Sequence, residues 1–270
     1  MHMIPSASAS KTLISLTSFG AAQVLRRGQL WFARLSQSAG ADGVEVREEL
    51  LRDAAGELSE LAAWASEATQ DGSMSVVYSC PRPLYAPDGT LALAALQHGV
   101  QASRRLGADR LKMSIGRFAA QSDGFEAIAR TLAGSGVALL IENDQTADAG
   151  TMPALDRFFA QGDAAGLPLP MTFDMGNWAY QGECALQCAQ RFAQRVGYIH
   201  AKGVQRLPAK WVAVPLAESA LPWRATLRAL PAAVPRAIEY PLIGDDLQAL
   251  VQRELRILRD ARAPAFFLAP

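Results

Sequence analysis

The strongest constraint on how this chain can fold is its rhythm. Short apolar runs of strand length return about every 30 residues, and a helix-length segment fills each gap. The runs are TLISLTSF (12–19), GVEVRE (43–48), SMSVVYSC (73–80), DRLKMSIG (109–116), VALLIEND (137–144), LPMTFDMG (169–176), VGYIHAKG (196–203) and PRAIEYPL (235–242). Strands separated by helices run parallel, and parallel strands buried on both faces read as such apolar runs. The spacing predicts helices over 21–39, 50–68, 90–107, 125–136, 152–166, 184–195, 221–231 and 245–262. In the second of these, Leu51, Leu58, Leu61, Ala62 and Ala65 share one face. Three prolines in PRPLYAPDG delay the third until after Gly89. Asp245 and Asp246 stand where a helix start favours negative charge. Residues 203–218 read as a long loop.

Eight strand–helix pairs in about 250 residues have the size of a single (β/α)8 TIM barrel. The reading is a flexible leader over 1–10, small and polar, followed by one barrel domain over 11–270. A doubly wound open sheet is the competing fold. It places a Gly-rich phosphate turn after its first strand, whereas SFGAAQ offers only Gly20 there.

Composition narrows the partners. Lys plus Arg and Asp plus Glu number 26 each, so no net positive field recruits nucleic acid or an anionic membrane. No apolar stretch reaches the roughly 20 residues of a membrane span, and no secretory signal opens the chain. Three cysteines (Cys80, Cys184 and Cys188) make no even disulfide framework and no CxxC pair. Cys184 and Cys188 share a helical face, as buried free thiols do. A cytoplasmic protein acting on a small molecule is expected.

The later strands then disclose chemistry. Glu142, Asp174, His200 and Glu239 stand at the ends of runs five to eight. In a barrel those ends meet on one face. Carboxylates otherwise avoid apolar runs, because an unpaired charge is costly to bury. Three carboxylates and an imidazole suit one divalent ion: Mn²⁺, Mg²⁺, Co²⁺ or Zn²⁺. Around them, Asn143 and Gln145 are placed to bind substrate hydroxyls. Lys202 follows His200 by two residues, so strand alternation points both to one side. Arg47 and Lys112 end the second and fourth strands, where they can hold an anionic substrate group, although Arg47 can equally pair with Glu45. Trp178 and Tyr240 are candidate pocket walls. His98 reads as an ordinary helical residue.

The runs IEND, FDMGN, YIHAKG, VPLAES followed by PW, and IEYP resemble the xylose isomerase-like TIM-barrel superfamily. That group includes sugar-phosphate isomerase/epimerase proteins, ketose 3-epimerases, inosose isomerases and dehydratases, 3-dehydroshikimate dehydratases and endonuclease IV. The resemblance spans about residues 12–262 and is most specific over 137–241. It implies that Glu142, Asp174, His200 and Glu239 hold one divalent metal. It also implies that Glu142 and Glu239 act as base and acid across a metal-stabilised enediolate. The implied substrate is a ketose or a cyclic polyol such as an inosose, and the implied assembly a dimer or tetramer.

Two departures bear on this. Several members carry a histidine three residues after the sixth-strand aspartate, where this chain has Asn177, a further candidate substrate contact. The histidines number three (His2, His98 and His200), too few for a trinuclear DNA-repair site. The leading expectation is therefore a metal-dependent isomerase or epimerase. The alternatives are a lyase dehydrating an inosose- or 3-dehydroshikimate-like ring and a non-catalytic ligand-binding barrel. A ring carboxylate calls for cations such as Arg47, Lys112 and Lys202; a neutral sugar calls for amides and aromatic walls.

Overall fold

The computed structural model describes residues 10–53, 55–70 and 74–261. The proposed leader, residues 1–9 in particular, lies outside them. Eight parallel strands close into a barrel: β1 (Thr12–Ser15), β2 (Gly43–Arg47), β3 (Ser75–Ser79), β4 (Arg110–Ser114), β5 (Ala138–Glu142), β6 (Met171–Asp174), β7 (Val196–Ala201) and, last in the chain, β10 (Arg236–Ile238). Each strand pairs with the next, and β10 returns to β1 with Leu13 opposite Ala237. The expected (β/α)8 barrel is thus the observed fold.

The helical layer is α1 (Ala21–Arg27), α2 (Gln29–Ser38), α3 (Gly56–Ala68), α4 (Leu93–Leu106), α5 (Phe125–Leu132), α6 (Met152–Ala164), α7 (Ala185–Phe192), α8 (Trp223–Ala229) and α9 (Leu247–Asp260). The first predicted helix is in fact two. Gly28 breaks it with φ +86°, and a Cβ there would sit 2.4 Å from Arg52 Nη2. The buried Glu57 carboxylate accepts the Gln29 N–H (2.6 Å) and so serves the new helix start. At α9 the expected acidic start is a cap: Asp246 Oδ1 accepts the Ala249 N–H (2.9 Å).

Two further expectations are corrected. The stretch read as a loop over 203–218 contains an antiparallel hairpin, β8 (Gly203–Arg206) with β9 (Trp211–Val214). Its strands are rich in β-formers, but four residues each are too short to show a period. Cys184, expected to be buried beside Cys188, is exposed because it precedes the first turn of α7. Cys80 and Cys188 are buried, and burial pushes their thiols up to about 11 and about 12. Among the described residues no helix is long and apolar enough to cross a membrane.

Alternation sorts every strand into an outward set packed under helices and an inward set filling the barrel. The lower inward layer is apolar: Leu13, Val77, Leu140, Tyr198 and Ala237 form one cluster. Two residues beyond Leu140, Tyr198 and Ala237 the inward positions turn charged, with Glu142, His200 and Glu239, and the intervening strands add Glu45, Lys112 and Asp174.

Candidate metal centre and barrel mouth

The four expected ligands converge. One donor atom from each of Glu142, Asp174, His200 and Glu239 lies within 4.8 Å of the others. His200 Nδ1 is 3.0 Å from Glu142 Oε1, 3.0 Å from Glu239 Oε2 and 3.7 Å from Asp174 Oδ2. Side chains of Asp174 and His200 are fully buried, and those of Glu142 and Glu239 nearly so.

Each ligand is aimed by something specific. Asp174 closes β6, and its Oδ1 accepts the N–H groups of Gly176 (2.8 Å) and Asn177 (2.9 Å). Oδ2 is thereby left facing the barrel axis. His200 sits in β7 with its Nε2 2.7 Å from Glu45 Oε2, both side chains fully buried. An ionised carboxylate only accepts, so Nε2 carries the proton and Nδ1 faces the other carboxylates. Glu45 is held in turn by Ser15 Oγ (3.3 Å), Arg47 Nη1 (3.1 Å) and Lys112 Nζ (3.8 Å). The sequence reading gave Glu45 no role beyond pairing with Arg47. Its signal was an acid between Val44 and Val46, on the inward side of an apolar strand.

Three cations thread this acid layer. Lys112 Nζ is 2.6 Å from Glu142 Oε2. Lys202 Nζ is 2.7 Å from both Asp174 Oδ2 and Glu239 Oε2, and Arg47 Nη1 is 2.8 Å from Glu239 Oε1. Burial raises the cost of every charge here, and the partners decide the outcome. Burial pushes the Glu45 carboxyl up, but His200, Lys112 and Arg47 outweigh it and hold the group at about 2. Glu142 and Glu239 are likewise held low against burial, by Lys112 and His200 and by His200 and Lys202. For Asp174 burial wins, and its carboxyl is raised. Burial disfavours His200 protonation, yet Glu239 and Glu45 hold the ring well above its ordinary value.

The donor set fits a metal. His200 Nδ1 is buried without a hydrogen bond, and the Asp174 Oδ2 and Glu239 Oε2 atoms beside it are shared by a single ammonium, Lys202 Nζ, at 2.7 Å from each. Buried polar atoms are nearly always hydrogen-bonded, so an unbonded ring nitrogen among carboxylate oxygens from three other strands marks a place for a shared cation. Three carboxylate oxygens and one imidazole nitrogen match the hard divalent ions expected from the sequence.

The expected substrate contacts divide. Arg47 and Lys202 line a cavity of 390 Å³ at the barrel mouth, together with Glu239 and Tyr240. Lys112 does not reach it; at 3 % side-chain exposure it lies beneath the carboxylates it pairs with. Asn143 is fully buried and closed: its Nδ2 donates to Asp174 O (2.9 Å), and its Oδ1 accepts the Asp174 N–H (2.8 Å). Asn177 donates to Asn143 O (2.9 Å) and accepts from Gln145 Nε2 and Lys202 Nζ (3.1 Å each). These amides tie the strand ends together and are not turned to a ligand. Trp178 is no pocket wall. It is fully buried in the helical layer, stacked on Phe192 and against Phe173. Its position four residues after Asp174 starts an outward turn that the sequence pattern does not display.

No protein-family profile matches the chain, and no curated protein matches it in sequence. Solved structures do match in shape. A D-tagatose 3-epimerase-like protein superposes with a TM-score of 0.69 at 14% identity, covering 93% of this chain and 96% of that one. The probable 3-DHS dehydratase AsbF of Bacillus anthracis, involved in petrobactin synthesis, gives 0.68 at 13% identity over 92% and 98%. The IOLI protein with a bound zinc atom gives 0.64 at 10% identity over 93% and 96%. Xylose isomerase domain proteins are also among the matches, and what the chain shares with all of these is the fold, a (β/α)8 barrel.

Proposed function

We propose that this xylose isomerase-like barrel is an isomerase or epimerase that uses one divalent metal to move a proton on an α-hydroxyketone, a ketose or a cyclic polyol ketone. The observation that carries the reading is the convergence of one donor atom each from Glu142, Asp174, His200 and Glu239 within 4.8 Å, with His200 Nδ1 left unbonded among the carboxylates. The zinc of the IOLI protein and the epimerase-like and dehydratase folds support it. When bound, the metal supplies Lewis-acid polarisation of the carbonyl and hydroxyl oxygens, which acidifies the intervening C–H.

This chain's residues do the rest. Glu142 and Glu239, both ionised, face each other across His200 and can take a proton from the carbon and return one to it. Glu45 keeps the His200 ring fixed while charge shifts around it. The apolar layer of Leu13, Leu140 and Tyr198 seals the site from below and keeps water from that side. A second reading, a lyase that dehydrates the same kind of ring, is favoured by the pair Lys202–Glu239, both of which line the mouth cavity. It puts an ammonium beside a base, which suits a departing hydroxyl. The proposed partner in either case is a small molecule in the cytoplasm; the balanced charge gives nucleic acid and membrane no field to bind.

The test is metal content by elemental analysis for wild type and His200→Ala, followed by NMR of hydroxyketones in D₂O with the loaded protein. About one ion per wild-type chain, lost in the variant, with deuterium entering beside the carbonyl, is the expected result. No bound divalent ion after reloading and no exchange would sink both readings.

A further inference from the structure

We propose that the barrel mouth selects an α-hydroxyketone bearing an anionic group, a carboxylate or a phosphate, over a neutral polyhydroxy sugar. The proposal rests on the hydroxyketone reading above and narrows its substrate.

A neutral sugar is recognised by amides and hydroxyls that exchange hydrogen bonds with its own hydroxyls. Here the nearby amides are spent: Asn143 is locked to the Asp174 backbone, and Asn177 to Asn143, Gln145 and Lys202. The Tyr240 hydroxyl points away and donates to Glu254 Oε2 (3.0 Å). Ser18 Oγ donates to Ile238 O (3.1 Å). What the mouth cavity offers is two cations, Arg47 and Lys202, beside Glu239, a single further hydroxyl residue, Thr17, and an apolar side made by Ala213, Pro241 and Ile243.

Charge balance points the same way. Inside the barrel, four carboxylates (Glu45, Glu142, Asp174 and Glu239) face three fixed cations. A divalent ion converts that single negative excess into a single positive one. Uncompensated charge in a low-dielectric site is costly; Glu49, paired with Arg47 at the rim, supplies the compensation, and an anionic substrate can take over that part on entry.

Arg47 also has an edge to offer. Nη1 is committed to Glu45 and Glu239, whereas Nε and Nη2 both reach a single oxygen, Oε1 of Glu49, at 2.8 Å. Glu49 is one-third exposed, so releasing it to water costs little. A substrate carboxylate or phosphate can replace it on that edge with two parallel hydrogen bonds, the geometry a guanidinium favours. Glu49 then acts as a placeholder.

The experiment compares three probes that share one hydroxyketone and differ in the terminal group: dihydroxyacetone, hydroxypyruvate and dihydroxyacetone phosphate. Kd is measured by calorimetry on the full chain, with metal loading verified beforehand. At least one anionic probe should bind about tenfold or more tighter than dihydroxyacetone, and the better of the two identifies the group. Glu49→Gln, a surface change, should tighten the anionic probes and leave dihydroxyacetone unchanged. Arg47→Gln should bring all three within about threefold of one another. Equal binding of the three by wild type would overturn the anion preference and leave the hydroxyketone reading standing. Metal-dependent binding of none of them would overturn both. If Arg47→Gln fails to fold or to hold metal, wild type and Glu49→Gln still decide the question.

Discussion

Two layers of the same barrel, one step of alternation apart, have opposite characters. The lower layer is a small apolar plug of Leu13, Val77, Leu140, Tyr198 and Ala237. The upper one carries six charged or titratable side chains at equal or near-equal burial. Backbone and register are shared: Leu140 and Glu142 lie on β5, Tyr198 and His200 on β7. The difference teaches that the strands themselves set position only. Packing energy resides in the lower layer, whereas the upper layer gives up hydrophobic stabilisation and relies on mutual pairing to stay folded. A layer kept at that expense is where function is expected.

The sharpest way to break the comparison is to cross it. His200→Ala should abolish stoichiometric metal, and with it the metal's effect on stability. At a hundredfold excess over Kd, metal should stabilise wild type by about 2.7 kcal/mol and the variant by none. Leu140→Ala should do the opposite, costing roughly 2–5 kcal/mol in urea unfolding while one ion per folded chain is retained. If the leucine variant loses metal at full occupancy of the fold, or metal stabilises His200→Ala as it does wild type, the division between layers is wrong.

Glu45 sharpens the line between the two, because it touches no substrate cavity yet grips His200 at 2.7 Å. Glu45→Gln should weaken metal binding about 10–100-fold. The His200 Nε2 chemical shift in the metal-free protein should report the altered partner. Unchanged affinity would return Glu45 to a purely structural role.

The sequence shows the two layers unequally, and for physical reasons. The ligands were legible because Glu142, Asp174 and Glu239 end apolar runs, where a charge is conspicuous. The barrel was legible because eight repeats of one period admit few folds. Glu45 was visible as an inward acid, but its partner lies 155 residues away, and no local pattern reveals such a pairing. Asn143 and Asn177 look like ligand-binding amides by position. Only their closed bonds to the backbone of Asp174 and Asn143 show that they serve the strand ends instead. Trp178 and the hairpin over 203–214 depend on turns whose geometry local composition does not encode.

The smallest effect concerns the ceiling of the charged layer. Gly176 has an ordinary helical φ of −88°, so its backbone alone would accept any residue. Its constraint is contact: a Cβ there would lie 2.8 Å from Lys202 Cγ and 2.8 Å from Val204 Cγ1. The glycine thus makes room for the lysine stem to pass toward Asp174 and Glu239. Gly176→Ala should cost about 1–3 kcal/mol through overpacking. Because the clash involves a removable side chain, Lys202→Ala should relieve part of that cost, and the two substitutions should couple by at least about 0.5 kcal/mol in a double-mutant cycle. Additive effects would mean that Val204, at the base of the hairpin, carries the contact. The glycine would then belong to the packing of the hairpin and have no part in placing the cation.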